Sequence, residues 1–116
     1  MGLQIYAGKG FDTQKAERFF KERRIAYQRV DVLKYGIGRR ELESVAAAVG
    51  LDALCDKSSK AFRESVIAYT QSRETILAGL MEKPQLLRLP IVRNGKKATV
   101  GYCPDIWEAW IAEGIK

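Results

Sequence analysis

"LPIVRNGKKATVGYCPDIWEAW", residues Leu89 to Trp110, carries two short strand-like runs, a turn and a helix start in immediate succession. Asn94-Gly95 separates Ile91–Arg93 from Lys97–Gly101. Asn-Gly is the strongest short hairpin signal, because both residues tolerate positive φ. The two runs are therefore expected to pair antiparallel. Pro104 suits the first position of a helix, where its missing N–H costs nothing. Ile106, Trp107, Trp110 and Ile111 then recur at helical spacing as one apolar face. Both tryptophans read as core rather than as a ligand platform.

Working back to the N-terminus, "IYAGKGFDTQKAERFF" (Ile5–Phe20) passes from a short buried strand, Leu3–Tyr6, through a glycine turn into an amphipathic helix expected from about Thr13 to Arg24. Ala16, Phe19, Phe20 and Arg23 share a face, and Asp12 or Thr13 supplies an N-cap oxygen. "IAYQRVDV", Ile25 to Val32, reads as the second strand. Two strands joined by one helix should be parallel, with a right-handed crossover. "KYGIG" reads as a loop. In "RRELESVAAAVG", Leu42, Val45, Ala46 and Val49 repeat at helical spacing and Gly50 suits the C-cap. A further helix is expected over Ser59–Tyr69. Ser72 then caps another, with Ile76, Leu77, Leu80 and Met81 as its buried stripe and Pro84 as its stop.

The chain has 116 residues, enough for one domain with a hydrophobic core. It has no His and two cysteines, Cys55 and Cys103. That excludes Ser-His and Cys-His nucleophiles and the usual zinc sets, so no metal is expected. Twenty Lys and Arg against fourteen Asp and Glu give a net charge of +6. The basic residues are interleaved with acidic ones, as in "KAERFFKERR", which argues against a nucleic-acid surface. No run is long and apolar enough to span a bilayer, and no signal peptide is legible, so the protein is expected in the cytoplasm.

The order is β-α-β, a helical insert, then β-β-α, with a proline opening the third strand. That is the thioredoxin-like layout. "FDTQKAERFFKERRIAYQRVDV" and "LLRLPIVRNGKKATVGYCPDIWEAW" resemble the arsenate reductase (ArsC-like) family, which includes the Spx transcriptional regulators. The resemblance runs over nearly the whole chain. It implies an α/β thioredoxin-like fold: a four-stranded mixed β-sheet flanked by helices, in a single domain over 1–116, with a helical insert of about 37–85. It also implies a cis bond before Pro90. In the family a cysteine at the end of the first loop attacks arsenate as a thiolate, arginines hold the oxyanion, and glutathione with glutaredoxin recycles the thiol. Spx regulators carry a CxxC switch there and bind RNA polymerase.

Carried over from "QKAERFF", the family cysteine falls on Gly10, the second cysteine of a CxxC on Thr13, and the arginine before the cis-proline on Leu89. Arg88 is one residue off, which in an extended segment means the opposite face. No bound cofactor is expected, with glutathione or glutaredoxin as reductant only if the chain is active. Two readings remain open. One is a non-catalytic module for a small oxyanion (arsenate, phosphate or sulfate), glutathione or a protein partner. Its anion site would be built from Lys9, Gly10, Phe11, Asp12, Thr13 and Arg88. The other is a reductase in which Cys103, just before a helix start that should lower its pKa, replaces the missing thiol. An Spx-like regulator without the switch is a further alternative. Cys55 reads as a partly buried helix-end residue.

Overall fold

The structure, a computed structural model, describes residues 3–114. Its centre is β1 (Leu3–Ala7), flanked by β2 (Tyr27–Asp31) in parallel and β3 (Ile91–Asn94) antiparallel; β4 (Lys97–Val100) completes a four-stranded mixed sheet in the order β2-β1-β3-β4. Successive side chains of a strand point to opposite faces, so β1 feeds two cores. Leu3 and Ile5 join Phe19, Phe20, Val92, Trp107 and Trp110 on one face. Tyr6 and Ile91 join Val32, Leu42, Val45, Leu77 and Leu80 on the other.

The first face is covered by α1 (Phe11–Glu22) and α6 (Pro104–Ala112). Trp107 is fully buried there, between Phe19 and Phe20 at centroid distances of 5.2 and 5.1 Å. Its indole N–H donates to Thr99 Oγ1 at 2.8 Å, so the polar end of the ring is satisfied inside the core. Pro104 takes the first helical position, as its missing donor allows.

The helical insert covers the second face. It comprises α2 (Val32–Tyr35), α3 (Arg39–Val49), α4 (Lys60–Arg63) and α5 (Arg73–Glu82), with single 3-10 turns at Asp52–Leu54, Val66–Tyr69 and Pro84–Leu86. Gly50 ends α3 at φ 89° and Ser72 caps α5 by accepting from Thr75 N. A polar link ties α3 to the sheet: the buried Tyr6 hydroxyl donates to Glu41 Oε2 at 2.5 Å. Burial, then that hydrogen bond, push the Tyr6 pKa up to about 12.

Several boundaries differ from expectation. α1 begins at Phe11, not near Thr13, and its N-cap is Gly10, not Asp12 or Thr13. Thr13 is occupied elsewhere, accepting from Gly8 N at 3.2 Å. β2 is shorter than Ile25–Val32, because Asp31 caps a short helix through Lys34 N and Val32 already belongs to it. The expected loop at Lys34–Gly38 is therefore a loop only from Gly36. Ser59–Tyr69 splits into α4 and a 3-10 turn where the Ser65 hydroxyl donates to Phe62 O at 2.7 Å and competes with the helix. In the α5 stripe, Leu77 and Leu80 are buried while Ile76 and Met81 are half-buried; on α6, Ile106 is exposed. The hairpin forms, but Asn94 pairs with Lys97, so Gly95 and Lys96 are the central residues and Gly95 alone takes positive φ, 62°.

Among the described residues no helix is long and apolar enough to cross a membrane.

Thr99→Val keeps the side-chain shape but strands the indole N–H. It should cost about 1–3 kcal/mol in urea unfolding. Trp107→Ala, which empties the same space, should cost about 3–5 kcal/mol. A neutral Thr99→Val would show that the bond does not hold α6 in place.

Candidate functional site

The β1–α1 loop meets the start of β3 at the carboxyl end of β1. The antiparallel register pairs Tyr6 with Ile91; continued two residues, it sets Gly8 opposite Leu89. The approach is close. A Cβ on Gly8 would fall 2.5 Å from Leu89 Cδ1 and 3.0 Å from Leu89 Cβ, so a larger residue must displace the Leu89 side chain. Leu89 thus faces the loop and fills the space beside it with hydrocarbon. The Leu89–Pro90 bond is cis, and Pro90 O accepts from Gly101 N at 2.8 Å, carrying the β3–β4 ladder past the strand end.

Gly10 caps α1 at φ 114° and ψ 177°, a conformation that side-chain-bearing residues rarely adopt, although no atom lies within 4 Å of where a Cβ would stand. The restriction is one of dihedrals, not of space. A cysteine transferred onto Gly10 by resemblance does not fit this backbone. The first residue that presents a side chain from the helix start is Phe11, 79% exposed. Neither position carries a thiol, whichever of the two corresponds to the family nucleophile.

The other candidate anion ligands divide. Lys9 is exposed beside Gly10. Phe11, Asp12 and Thr13 form the first turn of α1, where backbone N–H groups point outward. Asp12 places a carboxylate among those same donors, and Thr13 is buried with its hydroxyl bonded to Gly8 N. Arg88 is held by the insert: its N–H donates to Leu54 O at 2.7 Å, and Asp56 N donates to Leu86 O at 3.0 Å. Its guanidinium lies over Gly101, 3.4 Å from where a Cβ would stand, and lines a hollow with Asp52, Asp56 and Lys57.

Cys103 lies at the same end of the sheet, within electrostatic range of both Asp12 and Arg88. The expectation that the start of α6 lowers its pKa is overturned. Burial pushes the thiol above its ordinary value; Arg88 pulls it down, Asp12 pushes it up and a side-chain hydrogen bond with Thr99 pulls it down. Its Sγ donates to Val100 O at 3.2 Å, which favours the protonated form. Cys55 is buried, its pKa raised by burial and then by Asp52, and its Sγ points to Leu51 O at 3.6 Å.

Two features escaped the sequence reading. One is the Gly8–Leu89 contact, whose partners are far apart in the chain. The other is a groove of about 510 Å³ between α1 and α6, lined by Lys15, Arg18, Tyr102 and Pro104 among others. The repeated basic residues of α1 were the available signal for it.

The model of the ArsC family matches residues 11–110. A global transcriptional regulator, Spx 2 of Oceanobacillus iheyensis, is 30% identical over 108 residues, covering 90% of this chain and 80% of that protein. An arsenate reductase from Vibrio cholerae has a similar fold, with a TM-score of 0.82 at 22% identity over 91% of this chain and 94% of the other. A putative ArsC family related protein from Bacteroides fragilis gives a TM-score of 0.81 at 22% identity, over 94% and 97% of the two chains.

Two outcomes follow from this geometry. Iodoacetamide at neutral pH should label both cysteines more slowly than free glutathione; faster labelling of Cys103 would show that its thiolate is accessible after all. Gly8→Ala should destabilise by about 1–3 kcal/mol through overpacking. Leu89→Ala in the same chain should recover part of that loss, and purely additive effects would rule out the contact as the cause.

Proposed function

The chain belongs to the ArsC family, and from that premise we propose that it is a member without thiol-redox catalysis, working as a binding module on the retained fold. One observation carries this reading: the start of α1 presents Phe11 beside a backbone conformation that favours glycine.

The chemistry explains why that matters. Reducing arsenate to arsenite needs two electrons. A first thiolate displaces an oxygen from arsenic, and a second thiol attacks the resulting sulfur. The pair of thiols leaves as a disulfide and the arsenic leaves as arsenite. Without the first thiolate no arsenic–sulfur bond forms. Leu89 adds to the argument, because it puts hydrocarbon where an oxyanion would need a donor. The likeness to a global transcriptional regulator from Oceanobacillus iheyensis supports a regulatory role over turnover of a small-molecule substrate. A CxxC redox switch has no counterpart here, since Phe11, Thr13 and Gln14 are not cysteines.

Small-oxyanion binding at Lys9–Thr13 is the weaker form of the same reading. The helix-start donors support it and the Asp12 carboxylate opposes it. A second reading, reduction through Cys103 with glutathione or glutaredoxin as electron source, is favoured by one observation: Arg88 lies close enough to that thiol to draw its pKa down. Burial and Val100 act against it.

A coupled arsenate-reduction assay with glutathione and glutaredoxin distinguishes them. The wild-type chain should show no turnover above the glutathione background. Phe11→Cys should introduce a thiol that iodoacetamide labels faster at pH 6 than free glutathione, since a helix start lowers its pKa. Gly10→Cys should not, because its backbone must first rearrange. Wild-type turnover that disappears in Cys103→Ser would overturn the non-catalytic reading.

A further inference from the structure

Resting on that reading of the chain as a binding module, we propose that the groove between α1 and α6 seats an acidic protein segment carrying a bulky apolar side chain. Residues at i, i+4 and i+7 of a helix share a face. Lys15, Arg18 and Glu22 line the groove, and Phe11 extends their stripe by one turn at the helix start. The opposite wall is Tyr102, Pro104 and Glu108, and Phe19 forms the floor.

The apolar part of the surface is exposed at a cost. Phe11 is 79% exposed and Tyr102 43%. Tyr and Arg, both present here as Tyr102 and Arg18, are among the side chains in which interface binding energy concentrates. Lys15 Nζ stands 5.6 Å from the Tyr102 ring, so cation and aromatic are adjacent across the groove.

Charge selects the occupant. Arg23 and Glu108 neutralise each other at 2.9 Å and Arg23 also covers the Phe19 ring at 3.7 Å, so that end is internally paired. Lys15 and Arg18 have no carboxylate within ion-pair distance among the described residues. Asp12 lies three residues before Lys15 and Glu22 four after Arg18, and neither reaches its neighbour within ion-pair distance. The open half of the groove is therefore aromatic with two unpaired cations. A second copy of this chain, itself at +6, would bring like charges together across a two-fold contact. A nucleic-acid backbone, with a phosphate at every step, would run on into the Glu22 and Glu108 end of the groove, whereas a short segment occupies the Lys15, Arg18 and Tyr102 half alone.

The test is an amide chemical-shift titration of the full chain with the peptide acetyl-Glu-Asp-Leu-Phe-Glu-Asp-amide at millimolar concentration. Shifts should concentrate at Lys15, Arg18, Phe19 and Tyr102. The Lys15→Glu, Arg18→Glu double variant, both positions being exposed, should weaken binding about fivefold or more. A Lys-for-acid version of the peptide should not bind. The proposal is overturned by no response, by shifts outside the groove, by equal binding of the basic peptide, by a larger response to a DNA dodecamer at the same residues, or by concentration-dependent shifts without peptide. Arsenate turnover by the wild-type chain would instead overturn the binding-module reading, so the two failures are separable.

Discussion

The burial of β1 on both faces is the constraint on which the rest of the structure depends. Leu3, Ile5, Tyr6 and Ala7 are each at most 3% exposed, and they face opposite ways. One strand must therefore be roofed twice. α1 and α6 roof one side, and the insert between β2 and β3 roofs the other. This gives the insert a physical role apart from any chemistry. Without it, Tyr6 and Ile91 would face water, at about 1.5–3 kcal/mol for each large side chain exposed.

The same constraint fixes the site end. A central strand buried on both sides has to leave the sheet by a tight turn, and the turn runs straight into the strand that pairs with it. Gly8 and Leu89 meet for that reason. Leu89 is held in turn by the insert, through the backbone bond from Arg88 N to Leu54 O. The loop geometry is thus dictated by packing from below and behind. It asks for glycine at position 8 and a cap at position 10, but for no thiol. A scaffold built this way survives the absence of the nucleophile, because none of its contacts uses one.

Much of this was legible in the chain. The strand-like runs, the Asn94-Gly95 signal, Pro104 at a helix start and the Trp107/Trp110 face each rest on interactions a few residues apart, and each led to the right element. Errors fell where a polar side chain chose between local partners. Thr13 bonds Gly8 N instead of capping, Asp31 converts the end of a strand into a helix start, and Ser65 breaks a helix. At the site, the missing thiol was legible because it is a matter of residue identity. The conformation of Gly10 was not, nor was the raised pKa of Cys103. Both depend on a fold that brings Val100, Arg88 and Asp12 around positions distant in sequence.

Cys103 shows how helix-start arguments should be weighted. The dipole of a nine-residue helix favours a thiolate by an amount typically about 0.3–1 kcal/mol at an exposed site. Opposed to it are partial burial, which removes solvation from the charged form, and an acceptor, Val100 O, that the thiolate could not use. A hydrogen bond to a carbonyl requires the proton to stay on sulfur. The net shift is upward, with burial its largest cause. Phe11 is the opposite case: an exposed position at the start of a longer helix, where burial would not oppose ionisation, only the neighbouring Asp12 carboxylate would, and the residue present cannot ionise. The one thiol at a helix start is thus held protonated by its surroundings, and the exposed helix start of α1 carries no thiol, which is the physical reason to look for function in contacts rather than in redox chemistry.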